Sequence, residues 1–315
     1  MIKVDNVTKK YGDKFAVKDV SFEVKEGEIV GFLGRNGAGK TTTMNIITGY
    51  ISSTAGTAQV DGYDILKDPL QVKKRIGYLP EKPPIYFSMT VNEYLRFCCD
   101  IKGVDRKKQS PHIQDICELV GIPHMRKRLI KNLSKGYKQR VGLAQSLIGN
   151  PPVLILDEPT VGLDPRQIIE IRQLIKDLGR SHTIILSSHI LHEVADVCER
   201  VIIIDKGKIV AKDTLENLAR DVKSITRMTV RVSDGNNDVR KAIHDLHGVK
   251  YVESMGVKEM GSVDYLIECE KDTDIRRELF TMLSRMGKPI LMLRPMDVTL
   301  EDIFLEVTTE DKEVS

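Results

Sequence analysis

Gly34-Arg35-Asn36-Gly37-Ala38-Gly39-Lys40-Thr41, running on into Thr42-Thr43-Met44-Asn45-Ile46-Ile47, is the stretch that decides what this chain folds into. Its first eight residues fit the pattern GxxxxGK[ST]. Glycines let the backbone curl so that several N–H groups face one point, and the helix that follows turns its positive end to the same place. Both features favour a chain of phosphates. Lys40 adds a mobile positive charge for the β- and γ-phosphates, and the Thr41 hydroxyl can ligate Mg²⁺. The flanks agree: GEIVGFLG reads as strand, and TTTMNIITGY carries helical spacing to a stop at Gly49. At average residue usage such a match arises by chance in about one per cent of chains this long, and the strand–turn–helix context makes accident rarer still.

Downstream, Val153-Leu154-Ile155-Leu156-Asp157-Glu158 is an apolar run ending in two acids. A buried strand would deliver Asp157 to its C-terminal tip, where α/β sheets bind ligands. Asp157 is expected to hold Mg²⁺ through water, and Glu158, one residue further, to polarise an attacking water as general base. TIILSS and RVIIIDKG are further short apolar runs, and IIEIRQLIKDLGR between the first two is an amphipathic helix. Strands alternating with helices predict a parallel α/β sheet.

Working outward, residues 1 to about 30 read as short strands, and TAGTAQVDGYDI as a hairpin with Asp61-Gly62 at its turn. Residues 90 to about 148 are helical in pattern, with breaks expected near Gly103, Pro111 and Pro123. Beyond about 221 the order is strand, helix, strand, strand, helix, strand, the ferredoxin-like βαββαβ arrangement. A last helix, TLEDIFLEVT, precedes a charged tail. The expected domains are residues 1–220, with a helical subdomain at about 86–148, and an accessory α+β domain at 221–315.

Charged residues make up 30 % of the 315 and hydrophobic ones 41 %, a globular profile with room for two cores. A net charge of +3 is too balanced for a nucleic-acid binder on electrostatic grounds. Five cysteines (Cys98, Cys99, Cys117, Cys198, Cys269) without framework spacing fit free, mostly buried thiols in a reducing compartment. MIKVDNVTKKYG lacks the apolar stretch of a signal peptide, and no apolar run approaches the ~20 residues needed to cross a bilayer. A soluble, cytoplasmic chain is expected.

Asp157-Glu158-Pro159-Thr160-Val161-Gly162-Leu163-Asp164-Pro165 resembles the Walker B motif and D-loop of ABC-type ATPases. Leu133-Ser134-Lys135-Gly136-Tyr137-Lys138-Gln139-Arg140 resembles their LSGGQ signature, His189 matches their switch histidine, and Tyr11 the aromatic that stacks on adenine. With the glycine stretch, these motifs stand in the family's order over residues 1 to about 215. The resemblance implies a P-loop NTPase (RecA-like) core with antiparallel β and helical subdomains, followed by the ferredoxin-like domain. It also implies an ATP-hydrolysing subunit that energises a separate membrane-embedded permease. That places the chain on the inner face of the cell membrane, peripherally, through the permease.

In this family two cassettes face head to tail and sandwich two ATP molecules. Carried over, Gly34, Arg35, Asn36, Gly37, Ala38, Gly39, Lys40, Thr41 and Thr42 hold the phosphates and Tyr11 the adenine. Glu158, His189 and Lys40 are catalytic, and Thr41, Asp157 and Glu81 serve Mg²⁺. Ser134 and Gly136 clamp the ATP of the partner subunit, a second copy of this chain or a related cassette. Two positions depart from the pattern. Lys135 replaces a glycine, adding charge near the phosphates or pointing to solvent, and Glu81, in Gly77-Tyr78-Leu79-Pro80-Glu81, stands where glutamine is usual. YLPE with SKGxxQR resembles cassettes of the ABC-2 export group, which includes bacitracin, drug, sodium and gliding-type systems. Tyr86, Phe87, Met89, Val91 and Tyr94 suit either a permease-facing surface or ordinary core. His192, three residues after His189, belongs on the following helix rather than in a metal pair. Ribosome-acting members carry two cassettes in one chain, and DNA-repair members a long coiled-coil insertion; neither is present. An intact set of Lys40, Asp157, Glu158 and His189 argues against a non-hydrolysing regulator.

Overall fold

Over residues 2–24 the inward-facing residues change parity: Ile2 and Val4 are followed by Val7, and Val17 by Val20, Phe22 and Val24. A strand puts every second side chain on one face, so each change needs an extra residue. The chain supplies bulges around Asn6 and Asp19, whose φ angles are +47° and +53°. The computed structural model that shows this describes residues 1–221, 225–270, 273–296 and 300–309. It divides into two compact units, Met1–Leu215 and Glu216–Ser315.

The first unit begins with antiparallel strands β1 (Ile2–Tyr11) and β2 (Lys14–Val24). β3 (Ile29–Leu33) and α1 (Lys40–Ile47) flank the glycine stretch. β4 (Ala55–Val60) and β5 (Tyr63–Asp64) form the expected hairpin, with positive φ at both turn residues, Asp61 and Gly62. Then come α2 (Pro69–Arg75), β6 (Ile76–Leu79), and the helices α3 (Val91–Lys102), α4 (Arg106–Leu119) and α5 (Lys135–Leu147). The unit closes with β7 (Val153–Asp157), α6 (Pro165–Leu178), β8 (Thr183–Ser188), α7 (Leu191–Ala195), β9 (Arg200–Asp205) and β10 (Lys208–Thr214).

Two sheets result, ordered β2-β1-β4-β5 and β10-β9-β3-β8-β7-β6. The second is parallel from β9 to β6, with β10 antiparallel at its edge. Every residue of β7 and β8 is buried, which is why these strands read as continuous apolar runs rather than alternating ones. One core joins the two sheets and α1: Ile2, Phe22 and Val60 pack with Met44, Ile47, Phe32, Ile155 and Ile185. Each such side chain contributes about 1.5–3 kcal/mol on burial. This is the α/β core with an antiparallel β layer that the motifs imply.

The helical stretch differs from expectation at one point. α3 starts at a capping box, Thr90 and Glu93 exchanging hydrogen bonds of 2.8 and 3.2 Å, and stops at Gly103 (φ +73°). Pro123 begins a 3₁₀ turn. Pro111, by contrast, does not break the chain; α4 runs through it. A helical proline costs ~3 kcal/mol, and burial of Ile113, Ile116 and Cys117 on the same helix outweighs it. Gln109 further pins the helix, donating to Asp100 Oδ1 at 2.8 Å and to the Val104 carbonyl at 3.1 Å. Of the apolar set near this stretch, Val91 and Tyr94 are core residues, whereas Tyr86 and Phe87 are about half exposed.

Helix α8 (Leu215–Asp221) leads to the second unit: β11 (Ile225–Ser233), α9 (Asn237–His244), β12 (Val249–Gly256), β13 (Ser262–Glu270), α10 (Arg276–Arg285), β14 (Ile290–Met296) and α11 (Leu300–Thr309). The strands pair antiparallel in the order β12-β13-β11-β14. Both α9 and α10 pack on one sheet face, through Val239, Ile243, Leu279 and Leu283 against Val230, Val232, Tyr265 and Ile267. The alternate residues of β11 form a charged ladder: Arg227 pairs with Glu268 and Arg231 with Asp264, each directly opposite and each at 2.7 Å. The charged tail after Thr309 lies outside the described residues.

Candidate nucleotide site

Four parallel strands bring the predicted residues to one edge of the sheet. The segment 34–41 follows β3, Asp157 ends β7, His189 follows β8, and Glu81 lies two residues past β6. Those strands are consecutive in the order β3-β8-β7-β6, so their C-terminal ends form one rim.

The glycine turn depends on missing Cβ atoms. Gly39 has φ +111°, and a Cβ there would come 2.8 Å from the Ala16 carbonyl oxygen; one on Gly34 would come 2.5 Å from that of Ile204. Lys40, in the first turn of α1, is only 7 % exposed. Its ammonium donates to the Gly34 carbonyl at 2.7 Å and stands 3.6 Å from Glu158 Oε1. A cation held this way in a glycine turn at a helix start is poised for an incoming polyphosphate. Thr41 is exposed at the helix start, while Thr43 turns inward and donates to the Gly39 carbonyl at 2.9 Å.

Asp157 is fully buried; its Oδ1 accepts the Ser187 hydroxyl, and its Oδ2 has no hydrogen-bond partner among the described residues. A buried, unsatisfied carboxylate oxygen is expensive, and a hard cation or its water is the partner it suits. The site therefore fits Mg²⁺. Glu158 is buried with φ +51°, a left-handed conformation that is rare for a non-glycine residue. Its N–H donates to the Ser187 carbonyl at 3.1 Å, and its Oε2 lies 2.8 Å from His189 Nδ1. Lys40, Glu158 and His189 thus form one bonded group. Burial, with the charge of Asp157 close by, pushes the Tyr78 phenol well up, so it stays a neutral donor to Asn45 Oδ1 at 3.1 Å.

Other predicted residues stand apart. Tyr11 sits at the end of β1, 54 % exposed, with the Lys9 ammonium 5.3 Å over its ring. Glu81 is exposed. Ser134 caps α5, its hydroxyl oxygen accepting the Tyr137 N–H at 3.4 Å, and Gly136 packs so tightly on Gln167 that a Cβ would overlap the carboxamide. Among the described residues no hydrogen bond or ion pair joins Ser134 or Gly136 to Lys40, Asp157 or Glu158. Lys135 is exposed to solvent, with the far end of its side chain beside Gly162. His192 is exposed on α7.

Three residues at this site escaped the sequence reading. Ser187 holds Asp157, and its place as a polar residue closing the apolar TIIL run is a usable signal. Gln139, buried in α5, donates to the Pro159 carbonyl at 3.0 Å; nothing in the sequence marks that partner. Thr160 donates to the buried Glu193 of α7, tying the turn after Glu158 to the segment after His189.

The chain is similar to known proteins over most of its length. Residues 17–161 match the ABC transporter family. The bacitracin transport ATP-binding protein BcrA of Bacillus licheniformis is 34 % identical over 311 residues, spanning 98 % of this chain and 97 % of BcrA. The linearmycin resistance ATP-binding protein LnrL of Bacillus subtilis is 32 % identical over 309 residues, spanning 98 % of each chain. A dimeric, post-hydrolysis structure of the ATP-binding cassette MJ0796 bound to ADP and Pi superimposes with a TM-score of 0.63 at 27 % identity, covering 68 % of this chain and 99 % of that one. With a rim that fits a nucleotide and relatives matching from end to end, this chain belongs to the ABC transporter family, as one of its ATP-binding, ATP-hydrolysing subunits.

Proposed function

We propose that two cassettes, in the simplest case two copies of this chain, close over two ATP·Mg²⁺ and so drive a separate membrane-embedded permease in export. The observation that carries this is the division of the site. Lys40, Asp157, Glu158 and His189 lie together, whereas Ser134 and Gly136 stand at another helix end with no bond to them among the described residues. Each chain then holds most of one ATP and offers its signature to the other, in an isologous pair.

In this reading the N–H groups of residues 35–42 and the Lys40 ammonium bind the phosphates, and Tyr11 stacks on adenine. Thr41, Asp157 and Glu81 hold Mg²⁺, which neutralises charge on the β- and γ-phosphates. Phosphate entering beside Lys40 takes over as its counter-charge and frees Glu158, whose carboxylate accepts the proton of the attacking water. His189, bonded to the other Glu158 oxygen, fixes that carboxylate and contacts the γ-phosphate. The partner's Ser134 hydroxyl and Gly136 N–H complete the clamp. Export is supported by BcrA and LnrL, whose names speak of bacitracin transport and linearmycin resistance. No described helix is long and apolar enough to cross a membrane, so attachment to the inner face would run through the permease. The half-exposed Tyr86 and Phe87 are the residues of the helical stretch best suited to touch it. Residues 221–315 form the accessory domain, shared along their length with full-length relatives such as BcrA.

Light scattering on the Glu158→Gln protein tests the sandwich. ATP with Mg²⁺ should convert monomer to dimer, and a second substitution, Ser134→Arg, should leave ATP binding intact while preventing the dimer. A dimer that forms regardless of Ser134 would overturn the head-to-tail arrangement.

A further inference from the structure

The two segments that carry Glu158 and His189 are bonded to each other twice. His189 Nδ1 lies 2.8 Å from Glu158 Oε2, although the imidazole is 39 % exposed. A few residues along each segment, the Thr160 hydroxyl donates to Glu193 Oε2. Both of these side chains are buried, Thr160 at 5 % exposure and Glu193 at 3 %. The two bonds close a ring, from Glu158 to Thr160 along one segment and from Glu193 back to His189 along the other.

Stability alone gives no reason for an acid at position 193. Among the described residues no Lys, Arg or His pairs with its carboxylate, and the Thr160 hydroxyl is its side-chain partner. An apolar residue of similar volume would pack in such a place at less cost. Helix α7 is already seated without it, since Val194 lies so near β3 that a Cβ on Gly31 would come 2.2 Å from Val194 Cγ1. A second link, Arg172 of α6 to Asp196 at the end of α7, leaves Asp196 57 % exposed, and an ion pair so open to solvent contributes little. The Thr160–Glu193 bond is buried and ends on a carboxylate, which makes it the stronger of the two. The turn it holds is tight: the Val161 N–H donates to the Glu158 carbonyl and the Leu163 N–H to the Thr160 carbonyl, both at 3.2 Å. Glu158 itself has φ +51°, a conformation its surroundings must maintain.

We propose that Glu193 is a positioning residue for the Glu158–His189 pair. By holding the Thr160 hydroxyl it fixes the turn after Glu158 against the segment after β8, and so keeps the imidazole and the carboxylate within bonding distance. It acts through those two residues rather than on the nucleotide. His189 is too exposed for its own packing to hold it, and a buried anchor four residues further on supplies what that packing lacks. The proposal rests on the reading of Glu158 as general base and His189 as the residue that fixes it.

The test is steady-state ATP hydrolysis by the full chain carrying Thr160→Val, Thr160→Ser, Glu193→Ala or Glu193→Gln, in the wild type and beside His189→Ala. Thr160→Val keeps the volume and removes the hydroxyl, while Glu193→Ala removes the acceptor. Each should lower kcat about tenfold, the scale of a small misplacement of a reacting group, with KM for ATP unchanged. Joined in one chain, they should be no more than about threefold slower than either alone. Thr160→Ser and Glu193→Gln keep donor and acceptor and should retain most of kcat. His189→Ala should itself be slow, and beside it Thr160→Val should cost less than about threefold, because the contact it serves is already gone. The same tenfold loss in both backgrounds would mean a merely structural role and would overturn the proposal. So would a wild-type kcat in Thr160→Val, or a serine variant as slow as valine. Thr160→Val decides the matter should Glu193→Ala fail to fold. If His189→Ala turns over at the wild-type rate, the role given to His189 fails and the anchor falls with it. A slow His189→Ala beside a fast Thr160→Val overturns the anchor alone.

Discussion

Replacing Glu158 with glutamine isolates one charge at the centre of the site. The amide keeps the volume of the carboxylate, and its oxygen can still accept from His189 Nδ1, 2.8 Å away, so the geometry of the histidine survives. What disappears is a proton acceptor and a negative charge 3.6 Å from the Lys40 ammonium. A positioned general base contributes about 10²–10⁴-fold, and hydrolysis should fall by about a thousandfold. At that separation the ion pair carries a Coulomb energy of about 5 kcal/mol at an effective dielectric constant near 20, before desolvation is counted. In the wild type an incoming phosphate must replace this partner; in the variant Lys40 is already free. ATP affinity should therefore rise, by about fivefold once desolvation and the mutual repulsion of carboxylate and phosphate are weighed. Fluorescent-nucleotide titration and phosphate release, measured on the same preparation, give both numbers. A variant that hydrolyses at more than about a tenth of the wild-type rate would refute the assignment of Glu158, and one that loses ATP binding would refute the exchange at Lys40.

Three further outcomes follow from the same geometry. Gly39→Ala forces a Cβ to within 2.8 Å of the Ala16 carbonyl at φ +111°, and should cost about 1–3 kcal/mol of stability and at least tenfold in ATP affinity, read by thermal melting and titration. Asp157→Asn removes the charge on the unpartnered oxygen, so the Mg²⁺ concentration for half-maximal hydrolysis should rise by at least tenfold while ATP binding without metal is unchanged; an unaltered Mg²⁺ dependence would dismiss Asp157 as its holder. Burial pushes the Glu28 carboxyl up, but the Arg200 guanidinium and the Lys25 N–H outweigh it and hold it below the usual range. A depressed carboxyl stabilises the fold above its unfolded pKa and loses that contribution as pH falls through the folded value. Glu28→Gln should accordingly lower Tm at neutral pH and flatten its decline below about pH 4, checked by melting across an acid series.

How far the sequence reaches can be judged residue by residue. The glycine turn, Asp157 and Glu158 are legible because backbone curvature and charge at a strand tip each demand particular residue types at fixed spacing. The βαββαβ order of the second unit is legible because its periodicities switch cleanly between two and 3.6. The position of β3 between β8 and β9 is not, since strand order arises from packing that no local pattern records. Pro111 misleads because a local penalty is overruled by burial elsewhere on α4. Val91 and Tyr94 sit among exposed neighbours of the same chemistry, and only the tertiary fold separates core from surface. The Lys135–Gly162 contact spans 27 positions and joins a flexible side chain to an absent one, which leaves nothing in the sequence to read.

The left-handed backbone at Glu158 sets a trap for anyone improving this protein by selection for robustness alone. Holding a β-carbon there costs about 1–2 kcal/mol, which glycine would recover entirely and asparagine in part. A library sorted only for heat resistance would drift toward those residues at position 158. The winners would survive higher temperatures, retain nucleotide and assemble, yet have surrendered turnover, because the discomfort of that one residue and the work it performs are the same property.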